Sequence, residues 1–180
     1  MPHKLKENKK LQVLIVFISL ILLVICIVGV LYIRWNAYMK NTWQPFIDVL
    51  EESGEMVEGT YIVNRDGASY SLMPPSTFIY GSNVCIDICP PYDVNKGDEQ
   101  YDVSILVWLE KDEYKWGAWV DRITGPNEYE PLYRLYIDPD TLEVLSEDAS
   151  QDDLKEYEST KENVRDAVEK IRDFWYPLLG

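Results

Sequence analysis

The only histidine in this chain of 180 residues is His3, eight residues before a long apolar run. Everything after that run therefore lacks a Ser-His or Cys-His nucleophile pair and a histidine-based metal site. No Gly-rich phosphate loop or Walker motif is present, so no catalytic residue, metal ligand or cofactor is assigned and the chain reads as a non-enzyme. Segment 93–99, DVNKGDE, has the outline of a calcium loop. It fails the pattern, because Gly97 stands where an oxygen ligand is needed and Ser104 where the bidentate Glu belongs. Carboxylates are abundant, with 31 Asp and Glu, and paired carboxylates are the one hydrolytic apparatus the composition allows. Cys85 and Cys89 are four residues apart. In a straight strand their Cα atoms stand about 13 Å apart, beyond the roughly 7 Å limit for a disulfide. A bridge forms only if Pro90-Pro91 pulls the strand end into a turn. Trp108, Trp116 and Tyr136 share strand parity with Arg122 and Arg134 if the hairpins pair as their turns suggest. Tyr and Trp beside Arg on a sheet suit a partner-binding face for peptide, glycan or protein. The commoner role for such rings is to form the floor under a C-terminal helix, here beneath Tyr157 and Trp175.

The elements that must position these residues begin with segment 11–33, LQVLIVFISLILLVICIVGVLYI, which holds no charge. As a helix it extends roughly 35 Å, enough for a hydrocarbon core of about 30 Å. Four Lys precede it within residues 1–10, and only Arg34 and Lys40 follow closely. The positive-inside rule then puts the N-terminus in the cytoplasm and residues 34–180 outside. The run is too long for a cleaved h-region, and bulky Trp35 sits at the nearest small-residue site, so an uncleaved single-pass signal anchor in the cell membrane is expected. Cys26 follows Ile25 rather than a small residue and reads as an apolar residue in the span, not a lipidation site. Arg34, Trp35 and Tyr38 form the expected interface anchor on the bilayer.

Residues 34–180 carry 13 Lys and Arg against 30 Asp and Glu. That balance argues against phosphate-led nucleic-acid binding and against docking on anionic headgroups. It leaves a protein or cell-wall partner as the expectation. A helix is expected over 41–53, capped by Thr42, with Pro45 in its first turn, unless it continues the membrane helix with a bend near Pro45. Strands are expected over 57–63, 68–73, 77–80, 83–89, 101–110, 114–123, 132–138 and 142–145, with 111–113 as a turn. A last helix over 151–176 opens with Ser150 and Asp153 as a capping box and carries a stripe of Leu154, Tyr157, Val164, Val168, Ile171 and Trp175. Helix, antiparallel strands and helix define an α+β domain.

Segment 133–145, YRLYIDPDTLEVL, resembles the closing strand pair of cystatin-like domains of the PepSY type, with Leu142 where the turn usually carries Gly. The resemblance implies a helix packed on a curved antiparallel sheet, outside the cytoplasm, that binds or regulates rather than catalyses. Membrane-anchored NTF2-like domains share the layout of tail, span and outer α+β domain.

Overall fold

The computed structural model describes residues 2–51, 55–75, 82–97, 99–110 and 113–179, and leaves the side chains of 2–11 and 51 undescribed. The chain divides into an N-terminal unit, Met1–Gln44, and a second unit, Pro45–Gly180. The first unit is α1, Pro2–Tyr38, followed by a π-helical turn, Met39–Trp43. Its apolar side chains from Val13 to Ile33 are exposed, and the helix is long and apolar enough to cross a membrane. Arg34, Trp35 and Tyr38 lie at its C-terminal end, where the Trp35 and Tyr38 rings sit 5.8 Å apart. The next helix, α2, is Gln44–Glu51, three residues shorter at its start than the expected 41–53. Thr42 lies inside the π turn and caps nothing; Pro45 does fall in the first turn of α2.

Seven strands form one antiparallel sheet in sequence order: β1 Glu55–Val57, β2 Thr60–Arg65, β3 Ala68–Met73, β4 Asn83–Ile88, β5 Tyr101–Glu110, β6 Glu113–Gly125 and β7 Glu128–Ile137. The expected strand 57–63 is cut by a tight turn at Glu58 and Gly59, both at positive φ, which creates the short edge strand β1. Asp66 and Gly67, also at positive φ, close the expected β2–β3 hairpin. Segment 77–80 lies outside the described residues. Segment 142–145 is not a strand: a single bridge joins Val144 to Ile137. Leu142 has φ 58°, a left-handed conformation that favours glycine, and its side chain is buried nonetheless.

One face of the sheet is the core. A row of directly paired residues crosses six strands: Val63, Tyr70, Ile86, Ile105, Ala118 and Leu135. All six are buried. The C-terminal helix, α3 Gln151–Phe174, covers this face. Its capping box has both halves, Asp153 N donating to Ser150 Oγ at 3.1 Å and Ser150 N to Asp153 Oδ2 at 2.9 Å. Tyr157, Val164, Val168, Ile171 and Trp175 are buried as the stripe requires, with Thr160 and Ala167 added; Leu154 is only half-buried. Buried polar ends on α3 are satisfied across the interface. Tyr133 Oη and Thr160 Oγ1 lie 2.6 Å apart, and Tyr157 Oη donates to the Leu142 carbonyl at 2.9 Å. The far end of α3 is locked by aromatics: Phe174 stacks on Tyr70 at 4.0 Å, and Trp175 Nε1 donates to the Phe46 carbonyl of α2.

Candidate functional site

With α3 on one face, the chemistry that remains accessible stands on the other. Register decides which residues those are. Glu110 pairs with Glu113, so β5 and β6 are joined by two residues and not by the expected three. A slip of one residue moves every side chain of a strand to the opposite face. The five residues expected on one partner-binding face are therefore divided. Trp108, Arg134 and Tyr136 stand on the outer face; Trp116 and Arg122 stand on the helix face. Trp116 pairs with Val107 and Ile137, is buried, and carries the Arg172 guanidinium of α3 5.5 Å from its ring centroid. Arg122 bonds Glu156 of α3 at 3.4 Å and Glu130 at 3.2 Å. Trp116 thus packs under α3, while half-buried Trp108 and exposed Tyr136 stand on the face away from it.

Trp119 takes the place on the outer face that parity had given to Trp116. It is 42% exposed, and Arg134 lies 5.6 Å over its ring. Arg134 is held there by the Val120 and Tyr133 carbonyls and by Asp121. Trp108 and Tyr136 meet with ring centroids 5.4 Å apart at an interplanar angle of 58°. Gly117 makes this possible: a Cβ there would stand 3.2 Å from Trp108 Cζ3, so the glycine is the seat on which the indole lies. Beside these rings a cleft of about 380 Å³ opens at the β5–β6 hairpin end, lined by Trp108, Tyr114, Trp116 and Tyr136, with Glu110 and Asp138 among its polar groups. The Asp138 carboxylate accepts the backbone N–H groups of Asp140 and Thr141, both at 2.9 Å, and these bonds hold it below the usual carboxylate range.

At the opposite end of the strands the outer face carries carboxyls. Asp102 of β5 faces Asp121 of β6 directly and lies beside Asp87 of β4. Ser104 Oγ donates to Asp87 Oδ1 at 3.1 Å. Asp102 Oδ1 is buried without a hydrogen-bond donor among the described residues. Desolvation first, then the hydrogen bond and field of Asp87 and the field of Asp121, push the Asp102 carboxyl up to about 7. Protonation turns an orphaned acceptor into a donor towards Asp87, which is the physical sense of that shift.

Cys85 and Cys89 are free, so the possible bridge is not made. β4 stays extended through Ile88, which keeps the two thiols apart on one face. Cys85 is partly buried and Cys89 exposed. Burial, then the neighbouring Asp87, push the Cys85 thiol up to about 12. Cys89 Sγ lies 3.6 Å from Tyr129 Oη. Segment 93–97 is a turn pinned by buried Gln100, whose amide accepts from Asp93 N and donates to the Asp93 and Gly97 carbonyls. Among the described residues no group of three or more His, Cys, Asp or Glu side chains is placed to hold a metal ion.

Asp87, Asp102, Asp121 and Trp119 are the outer-face residues that sequence reasoning did not single out. Alternation in β5 did put Asp102 and Ser104 opposite the apolar face, but contact among three acids on three strands depends on two hairpin registers. No family model, curated protein or solved structure matches this chain.

Proposed function

We propose that this chain is a single-pass cell-membrane protein whose acidic outer domain is a binding or scaffolding module at the cell envelope. Residues 1–10 lie in the cytoplasm, 11–33 in the bilayer, and 34–180 outside. In this reading the partners are the bilayer and a protein or cell-wall component, not nucleic acid, and the domain performs no catalysis. The observation that carries it is the aromatic surface of exposed Trp119 and Tyr136 with half-buried Trp108, standing on the face that α3 leaves open. Large aromatic rings with a polar rim are the residues that anchor protein interfaces. The charge asymmetry about the span supports the orientation. For the fold we favour the cystatin-like, PepSY-type assignment over the NTF2-like one. Its support is the Asp138–Thr141 turn followed by Leu142 at positive φ, the backbone geometry for which that family's turn carries Gly.

The test is photo-crosslinking in the native cells, with Tyr136→p-benzoylphenylalanine in the full chain and Val94→p-benzoylphenylalanine as the reference. A discrete adduct at position 136 and none at 94 is expected. Equal or absent adducts at both positions refute the binding-face reading.

A second reading, an envelope hydrolase using paired carboxylates, draws on Asp87 and Asp102. The geometry disfavours it for glycosides. Those enzymes hold their carboxyls about 5–9.5 Å apart with substrate or water between them, whereas Asp102 is within hydrogen-bonding reach of Asp87. Hydrolysis of envelope glycans or peptides that Asp102→Asn abolishes would establish it.

A further inference from the structure

We propose that the cleft beside Trp108 and Tyr136 is a receptor for an arginine side chain presented by a protein partner. The proposal rests on the binding-face reading and names the chemistry of its occupant. Three observations lead to it. The cleft is lined by Trp108, Tyr114, Trp116 and Tyr136, and its polar groups include two carboxylates, Glu110 and Asp138. Ring faces and carboxylates both favour a cation. The cation that lines the cleft, Lys115, is committed elsewhere: its Nζ bonds Glu113 Oε2 at 2.9 Å. Glu110 makes no ion pair among the described residues; Asp138 Oδ1 accepts the Asp140 and Thr141 N–H groups, and the Thr141 side chain and the more distant charge of Arg172 also act on this carboxyl.

The same chemistry recurs inside this domain. Arg134 lies over Trp119, Arg172 over Trp116 and Lys161 over Tyr157, each at 5.5–5.6 Å. Trp108 and Tyr136 carry no such cation among the described residues. The two rings meet at a tilt of 58° and border the cleft together; a guanidinium both stacks on an indole and presents a fork of donors to a carboxylate. An ammonium lacks the planar face. Residues 34–180, with 13 basic against 30 acidic residues, repel anionic partners and steer basic ones towards this surface.

The experiment uses the full chain in maltoside micelles, which carry no choline headgroup to compete. N-acetyl-arginine amide is titrated while the Trp indole N–H signals are followed by NMR, and N-acetyl-citrulline amide serves as its neutral isostere. A saturable shift of the Trp108 indole is expected with the arginine probe, with the citrulline probe at least about tenfold weaker. Glu110→Gln, an exposed change, should weaken arginine binding about three- to tenfold and keep the folded spectrum. Trp108→Leu should abolish saturation, and Val94→Ser, at the other end of the strands, should leave it unchanged. Equal response to the two probes overturns the proposal, as does arginine binding that Glu110→Gln leaves intact. If Tyr136 yields its crosslinked adduct while the probes are not discriminated, the binding face stands and the arginine receptor alone fails. If the arginine probe binds at Trp108 and no adduct forms, the cleft's preference for a guanidinium stands, but the partner-docking reading fails and with it the claim that a protein partner presents the arginine.

Discussion

Asp102→Asn isolates an outer-face carboxyl whose charge the fold opposes. In the unfolded chain this group ionises near about 3.9; in the folded domain burial and the Asp87 and Asp121 carboxylates raise it to about 7. Between those two values the native state holds a proton that the unfolded state has released. Stability therefore falls as pH rises through the window from about 4 to about 7, and this group adds no slope above it. A difference of about three in pKa corresponds to about 4 kcal/mol if nothing screens it. Asp102 is only half-buried, and solvent screening brings the expected effect down to roughly 1–2 kcal/mol. Asp93, Asp138 and Asp153 act in the opposite sense. Their carboxyls are held low by hydrogen bonds from Asn95, from the 140–141 backbone and from Ser150, so the stability they supply is lost only on acidification below about 4.

The amide that Asp102→Asn introduces would keep a donor for Asp87 without the charge. The substituted domain should match the parent near pH 4 and exceed it by roughly 1–2 kcal/mol at pH 8, about 3–6 °C in unfolding temperature. Urea unfolding of the full chain in maltoside micelles, followed by Trp fluorescence at several pH values from 4 to 8, measures this directly. Charged neighbours on the packed strands are Asp87, Asp121 and the Arg134 that pairs with Asp121; none of them is altered, so the lost slope belongs to Asp102. An undiminished pH slope in Asp102→Asn, or a variant less stable than the parent at pH 8, would refute the reasoning.

Ile171→Ala removes a fully buried side chain from the α3 stripe and should lower unfolding stability by about 2–5 kcal/mol; a change under about 0.5 kcal/mol in urea titration would mean that α3 does not cover the sheet. Intact mass after iodoacetamide treatment should show no Cys85–Cys89 bridge, with Cys89 alkylated in the folded protein and Cys85 only on unfolding, because burial keeps the Cys85 thiol protonated. Alkaline phosphatase fused after Gly180 should be active and a cytoplasm-only reporter at the same point silent; the reverse pattern would overturn the proposed orientation of the span.

Local signals were legible wherever one residue's chemistry sufficed. The charge-free run 11–33 shows itself as a helix long enough to span, because nearly every side chain in it is apolar. Ser150 and Asp153 mark the start of α3 because the cap is completed within four residues. Asp66-Gly67 marks a hairpin because positive φ at both positions is a property of those residues. Glu58-Gly59 carries the same property in weaker form, since Glu rarely adopts φ 49°, and β1 was hidden by it. Leu142 is the mirror case: a burial site and a left-handed backbone coincide, and a bulky side chain accepts the strain that a glycine would avoid. The functional face required more. Trp108 and Trp116 both sit in well-marked strands, yet whether they share a face depends on whether two residues or three separate the paired ends of β5 and β6. That choice is settled by packing: Glu110↔Glu113 pairing puts Trp116, Ala118 and Val120 under α3 and leaves Lys115, Gly117 and Trp119 outside, whereas the alternative would bury Lys115 and expose Val120. The same long-range register brings Asp102 between Asp87 and Asp121. Strand alternation names the residues that can act together only after the core has chosen its side, so an outer-face site of this kind becomes readable when each hairpin is tested against what its partner register would bury.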